Sequence, residues 1–478
     1  MLVRFGTPNA WSRCPSRFRS YLYCSSLSAS SELPHRRHGH SHSHDDDDDV
    51  FLPWLRRKSG LDISSLLSIK NSSYGRSLFA STAIRAGDCI LQVPFSVQLT
   101  PDMVLPEIDC LLGDDIGNVT RLALVILVEQ RLGQESEWAP YIRSLPRPGE
   151  SHSTIFWSEE ELEMVQQSSI YKETYNQLTQ IEKEFVAIRP VLDCFPQYFD
   201  GISLSIFMHA YALVGSRAWG SPKGLSLVPF ADFLNHDGVS EAVLLSNEGK
   251  QISEVIADRD YIDGEQVLIR YGKFPNSTLL LDFGFTLPYN VHDQIHICID
   301  VPKHDSLFTM KVDLLHQYYM PIIQGTNSSD PSQNSFIIKE VRSARGKGKG
   351  IPQSLRAVAR VLCASSAQEL KDLVAKAEKS DGRLARCPMK NTKREIQAHH
   401  FLNLQILQLI QKYETSIKLL GCTTNYSNTE HFALRRQMAW DLLSGELRVL
   451  KSASAWLSNY CNALSMGNYH PTKAAVTQ

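Results

Sequence analysis

Three short stretches of this chain offer chemistry. Leu227-Val228-Pro229-Phe230-Ala231-Asp232-Phe233-Leu234-Asn235-His236 closes an apolar run with a polar pair, and Asp237-Gly238 turns the chain directly afterwards. Gly264-Glu265-Gln266-Val267-Leu268-Ile269-Arg270-Tyr271-Gly272 alternates after the Asp263-Gly264 turn, so Val267, Ile269 and Tyr271 share one strand face and the phenol points inward with the apolar residues. Ser216-Arg217-Ala218-Trp219 sets a guanidinium beside an indole. Singly, each has a plain reading: a core tyrosine, a capped loop at Asn-His, an arginine in a surface ion pair. Together they offer a phenol that can orient a nucleophile and a guanidinium fork suited to a carboxylate.

Other chemistries find little support. Lysine plus arginine number 49 against 51 aspartates and glutamates, so no global field steers the chain to nucleic acid or an anionic membrane. The longest apolar run, Leu122 to Val128, is far short of the roughly 20 residues that span a bilayer. Ten scattered cysteines without a Cys-x-x-Cys pair argue against a zinc cluster or a disulfide framework and fit a reduced compartment. There is no Gly-x-Gly-x-x-Gly. Gly346-Lys347-Gly348-Lys349-Gly350 lacks phosphate-loop spacing and a preceding buried strand, which predicts a flexible basic loop. His35, His38, His40, His42 and His44 followed by Asp45 to Asp49 offer imidazoles at chelating spacing. So polar a tract buries too little to offset its ordering entropy, so it is read as a linker with no metal assigned.

The elements that must position these residues follow from texture. A chain of 478 residues implies two or three domains. Residues 1–31 carry Arg4, Arg13, Arg17 and Arg19, many serines and no acid before Glu32, the composition of a cleaved organelle transit peptide. The address is taken as chloroplast, with mitochondrion the alternative, and 1–49 as transit peptide plus disordered linker. Order is expected from Val50, beginning with a small β-meander through Gly75-Arg76-Ser77-Leu78-Phe79-Ala80 and Ile90-Leu91-Gln92-Val93-Pro94. A helical insert is expected at about 111–213, with Thr120 capping a buried helix over Leu122 to Val128 and Ser158-Glu159-Glu160-Glu161 opening another with a capping box. β texture returns from Gly224 to Val301. After it, Leu402, Ile406, Leu409, Tyr413, Ile417 and Leu420 form one helical stripe ending at Gly421, and Leu443, Leu447, Leu450 and Leu457 a second. On their own these stripes show helix packing. Residues 461–478 are read as a flexible tail.

The Asn235-His236 and Tyr271 stretches resemble the two hallmark motifs of the SET-domain methyltransferases. Ser216-Arg217-Ala218-Trp219, together with Trp138, Tyr141, Leu145-Pro146 and Phe156-Trp157-Ser158-Glu159-Glu160, resembles the Rubisco large-subunit lysine methyltransferase group of plants. The resemblance covers roughly Val50 to Leu457, and the lack of a cysteine-rich segment narrows it to the branch without one. It implies an α+β fold: a SET β-fold with a pseudoknot and helical insert over 50–300, then an all-helical substrate-binding domain over 301–460. It implies S-adenosyl-L-methionine as cofactor and lysine N-methylation of a protein substrate, a plastid protein such as Rubisco large subunit or aldolase. Neither nucleic acid nor membrane is implied, and the chain is expected to be a monomer.

By the same resemblance Tyr271 is catalytic, and Gly75, Arg76, Ser77, Arg217, Asn235, His236 and Tyr271 line the cofactor, Arg217 on its carboxylate. Ser216, Trp219, Asp232 and Phe283 border the target side chain. The chemistry is a direct displacement, needing the nucleophile in line with the methyl and little water. A lysine arrives protonated, and both an apolar channel and a nearby sulfonium favour loss of that proton. No strong base is then required. Three departures stand out: Phe283 where that group carries a second tyrosine, Tyr74 where a glutamate is usual, and Ser77 in place of a glycine. They keep two alternatives open, a protein-histidine N-methyltransferase and a catalytically silent SET module that binds a partner.

Overall fold

The computed structural model describes residues 44–72, 75–222, 224–318, 335–344, 346–379, 385, 387–422 and 430–467. The expected transit peptide, the histidines from His35 to His42, Tyr74 and the end of the expected tail lie outside them. Helix α1 (His44–Ser59) starts within the histidine and aspartate tract, upstream of Val50, so the last residues of the expected disordered linker are helical. It buries Phe51, Trp54 and Leu55, and Trp54 Nε1 donates to the Glu137 carbonyl at 2.9 Å.

Strands β1 (Leu67–Ser72) and β2 (Gly75–Ala80) form an antiparallel hairpin, and β3 (Cys89–Pro94) follows. Seven helices make up the insert: α2 (Pro106–Asp109), α3 (Asn118–Leu132), α4 (Ala139–Ser144), α5 (Glu159–Glu163), α6 (Ser169–Cys194), α7 (Pro196–Phe199) and α8 (Leu204–Arg217). It begins and ends a few residues outside the expected span. α3 buries every residue from Leu122 to Val128, as an all-round apolar pattern requires. Thr120 does not cap it. Gly117 holds the N-cap, and the Thr120 hydroxyl instead bonds the Glu184 carboxylate of α6, joining two helices. The capping box at α5 is present, with Ser158 and Glu161 each bonding the other's backbone N–H.

Short strands then return as β4 (Ala218–Trp219), β5 (Ser226–Leu227), β6 (Asn235–His236), β7 (Leu244–Asn247), β8 (Ile252–Ile256) and β9 (Leu268–Ile269). The predicted meander is corrected here: β3 leaves the hairpin and pairs with β8, which pairs onward with β7. Local texture cannot reveal a partner so distant in sequence. β6 and β9 run parallel, with Asn235 opposite Leu268 and His236 opposite Ile269. β2 bonds the approach to β9, Val267 N donating to the Leu78 carbonyl at 2.9 Å and Ala80 N to Glu265 O at 2.8 Å. Three remote segments thus converge, which is the crossing the resemblance implies.

The remainder comprises α9 (Asn276–Thr278) with a π-turn over Leu279–Phe283, β10 (Gln294–Cys298), α10 (Phe308–Tyr318), β11 (Ser335–Lys339), α11 (Gln353–Leu362), α12 (Ala367–Lys379), α13 (Thr392–Cys422) and α14 (Glu430–Ser465). α13 and α14 pack along each other and bury Leu402, Ile406, Tyr413, Leu443, Leu450 and Leu457, so both predicted stripes face the core. α14 runs on to Ser465, past the expected domain end. β10 pairs with β11 across the expected boundary at 301, Ile295 opposite Ile338. α14 also presses on the β domain at Gly445, where an added Cβ would stand 2.0 Å from Asp293 Oδ2. Arg448 Nη2 and Asn276 N both donate to that Asp293 carboxylate, at 3.1 Å each.

Candidate active site

The segment from Asp232 to His236 carries the site, because each residue along it meets a different distant element. It is entered through Phe230, a non-glycine residue at φ 73°, a conformation that costs free energy and persists only where surrounding contacts hold it. At Asp232, Arg217 Nη1 from the end of α8 donates to the backbone carbonyl at 3.0 Å and to Oδ2 at 3.2 Å. Tyr141 of α4 donates to the same Oδ2 at 3.0 Å. Oδ1 is buried without a partner among the described residues. Burial holds the Asp232 carboxyl above its usual range, while Arg217 and Tyr141 pull the other way.

At Phe233 the guanidinium of Arg76 lies 5.2 Å from the ring centroid, and Arg76 Nη1 also donates to the Ser144 carbonyl at 2.7 Å. At Leu234 the backbone carbonyl accepts the Tyr271 hydroxyl at 2.7 Å. At Asn235 the amide Nδ2 donates to the buried Ser77 Oγ of β2 at 2.6 Å. Ser77 Oγ is shared with Ser72 Oγ at 2.7 Å, so the serine that departs from the family pattern acts as a fixed hydrogen-bond partner. Gly75 opens the same strand at φ 86° with nothing within 4 Å of an added Cβ. At His236, Nδ1 accepts the Tyr271 backbone N–H at 3.0 Å. That bond places the ring proton on Nε2, which is buried and unpaired among the described residues. Burial lowers this imidazole to about 4, so it is neutral near pH 7.

Tyr271 lies two residues beyond the β9 ladder, with Val267 and Ile269 buried before it on the same face. Its ring is enclosed by Trp219 at 5.4 Å in edge geometry, His236 at 5.2 Å, Phe283 at 5.3 Å and Phe285 at 6.4 Å. Burial pushes the phenol above its ordinary value, Arg217 lowers it and Asp232 raises it, which places both charges within reach. The hydroxyl therefore stays protonated, spends its proton on Leu234 O, and keeps lone pairs for an incoming N–H.

The structure gathers most of the predicted residues. Tyr271, His236, Trp219 and Phe283 form one aromatic enclosure, Arg217 meets Asp232, and Ser77 meets Asn235. Ser216 is a partial exception: its hydroxyl donates back to Ala212 O at 2.8 Å within α8. Sequence reasoning missed Tyr141 as a site residue, because nothing in its local sequence announces a partner at Asp232. It also missed Phe285 in the enclosure.

Residues 302–450 match the family model for the Rubisco LSMT substrate-binding domain. The chain is 28% identical over 293 residues to the ribulose-1,5-bisphosphate carboxylase/oxygenase large subunit N-methyltransferase, chloroplastic, of Pisum sativum, covering 55% of this chain and 56% of that protein. It is 27% identical over 317 residues to the chloroplastic [fructose-bisphosphate aldolase]-lysine N-methyltransferase of Arabidopsis thaliana, covering 63% and 62%. To the actin-histidine N-methyltransferase of Danio rerio it is 26% identical over 302 residues, covering 59% and 49%. The chain thus spans between about half and three-fifths of the length of these curated relatives. Among solved structures, Rubisco LSMT bound to AdoMet aligns with a TM-score of 0.67 at 23% identity, covering 88% of this chain and 93% of that one. The LSMT SET domain bound to lysine and AdoHcy aligns at 0.68 and 22%, covering 89% and 93%. These alignments establish the fold. Residues 302–450 thus match the Rubisco LSMT substrate-binding domain, and the chain as a whole has the fold of the LSMT SET-domain structures and is similar in sequence to the Rubisco large-subunit and aldolase-lysine N-methyltransferases.

Proposed function

We propose that this protein is an S-adenosyl-L-methionine-dependent protein-lysine N-methyltransferase acting on an organellar protein. The observation that carries the reading is the Tyr271 hydroxyl: buried, protonated, donating to Leu234 O, and ringed by Trp219, His236, Phe283 and Phe285. A phenol so held orients an amine through its lone pairs without acting as a strong base. The aromatic walls exclude water and disfavour the ammonium form, which helps a lysine lose its proton.

The cofactor, when bound, supplies a methyl group on a sulfonium. The residues present fit such a group, because the site keeps buried polar atoms free: Asp232 Oδ1, His236 Nε2 and Trp219 Nε1 have no partner among the described residues. Arg217 would hold the carboxylate of its amino-acid portion. Asn235 and His236 would hold polar groups, and the backbone from Gly75 to Ser77, with Arg76, would run alongside. Trp219, Asp232, Phe283 and Ser216 would border the target side chain. Relatives named as chloroplastic and the serine- and arginine-rich N-terminus support a plastid target, with mitochondrion the alternative.

A second reading, N-methylation of a protein histidine, is favoured by one observation. Phe283 packs against Tyr271 and brings no hydroxyl; the similarity to a relative named actin-histidine N-methyltransferase accords with it. Calorimetry of the full chain with S-adenosyl-L-methionine, followed by mass mapping of the label transferred to a plastid extract, tests both. Binding that weakens at least about tenfold in Arg217→Ala, with label on lysine, is the expected result. Label on histidine would replace the lysine reading, and absence of cofactor binding would sink both.

A further inference from the structure

The loop Gly346-Lys347-Gly348-Lys349-Gly350 is not the flexible segment its composition predicts. A buried strand does precede it, since Phe336 and Ile338 of β11 are buried. Trp456 Nε1 of α14 donates to the Gly346 carbonyl at 2.8 Å. A Cβ at Gly348, where φ is +66°, would stand 2.6 Å from the Trp456 ring, and one at Gly350, where φ is +122°, 2.5 Å from the Lys339 carbonyl. Only glycine fits at these two places, so the loop is held in a defined shape.

That shape bounds a cavity of about 540 Å³, within the range of small-molecule sites. The β domain contributes Lys273 and His292 to its wall, and the C-terminal part contributes Lys339, Arg342, Lys347 and Lys349. Two acids also line it, Asp293 and Glu340, but both are engaged by Arg448, at 3.1 Å and 3.5 Å. None of the five cations has a carboxylate partner among the described residues. Nor do the backbone N–H groups of Lys347, Gly348, Lys349 and Gly350 bond within those residues. The field is felt at His292, whose imidazole is lowered first by burial and then further by the charges of Lys273, Arg270 and Lys339.

We propose that this seam cavity binds a phosphate-bearing small molecule, its oxyanion held between the Lys347 and Lys349 loop and the facing Lys273 and Lys339. A shaped glycine backbone with unspent amides suits a compact oxyanion better than an extended acidic peptide, and several cations around one small volume match a group of more than one negative charge. A ligand there touches both halves of the chain and ties them together, whether or not methyl transfer occurs.

The test uses the full chain and inorganic pyrophosphate, titrated by calorimetry and by thermal denaturation against sodium chloride at equal ionic strength. Saturable binding with a rise in Tm is expected. Lys347→Glu with Lys349→Glu should weaken it about a hundredfold, about tenfold per lost contact. Lys273→Glu on the opposite wall should weaken it as well, which keeps the test decisive if the double variant does not fold. No saturable binding, or binding that survives in folded variants, overturns the proposal. So does saturable binding of hexaglutamate that pyrophosphate fails to displace, which would assign the cavity to an acidic peptide.

Discussion

Replacing Glu446 by glutamine should leave stability nearly unchanged in acid and raise it in base. Glu446 is buried in α14, where Ser168 Oγ donates to Oε1 at 2.8 Å and the Tyr413 hydroxyl lies 2.8 Å from Oε2. The same hydroxyl is 2.8 Å from Gln167 O. One phenol has one proton, so if Tyr413 donates to Gln167 O, a proton on Glu446 must fill the other contact. Burial raises this carboxyl to about 8, which keeps that proton in place at neutral pH. The sign follows from linkage. Below the ordinary value of 4.5 both folded and unfolded chains hold the proton. Between there and about 8 only the unfolded chain releases it, so this group's stability is lost as pH rises through that window. The full span corresponds to about 5 kcal/mol, an upper figure because the seam can open instead of holding a buried anion. Glutamine keeps both hydrogen bonds, its NH₂ donating where the acid proton did. Thermal denaturation of both full-length proteins from pH 5 to pH 9 should show curves that meet in acid and separate by up to about 5 °C in base. Parallel curves, or a variant less stable at pH 9, would refute the protonated carboxyl.

Three further outcomes follow from the site and the domain seam. Tyr271→Phe removes the group that orients the amine and should slow methyl transfer about 10²- to 10⁴-fold while calorimetry shows cofactor binding retained; unchanged turnover would remove the phenol from the chemistry. Phe283→Tyr adds a hydroxyl beside Tyr271 and should shift the distribution of mono-, di- and trimethylated product in intact-mass spectra, whereas an unchanged distribution would show that this wall does not limit product size. Gly445→Val forces α14 off Asp293 and should cost about 2 to 3 kcal/mol in urea denaturation; a variant as stable as the parent would show that the contact is not tight.

The parts of the site legible in sequence were those compressed into short phrases. Asn235 and His236 are adjacent, and alternation put Tyr271 on the face of Val267 and Ile269, so local spacing carried the information. Helices were legible for the same reason, since the α3 run, the Ser158 capping box and the α13 and α14 stripes are all local patterns. What escaped depends on contacts between remote segments. Tyr141 on Asp232, β3 leaving its hairpin for β8, and Thr120 bonding Glu184 instead of its own helix end have no signature in neighbouring residues. The Gly346–Gly350 loop misled because its composition suggests freedom, while the indole and carbonyl that hold it come from α14 and β11.

The β10–β11 ladder has a bearing on how this protein can be divided. One strand belongs by sequence to the N-terminal half and the other to the C-terminal half, and every rung from Gln294 to Cys298 spans the joint. A chain cut near residue 301 would strip β10 of its neighbour and present a bare row of amides and carbonyls, the kind of border that recruits stray strands and precipitates. The two halves are therefore stitched rather than hinged, and a transplanted C-terminal half would have to bring a matching hem.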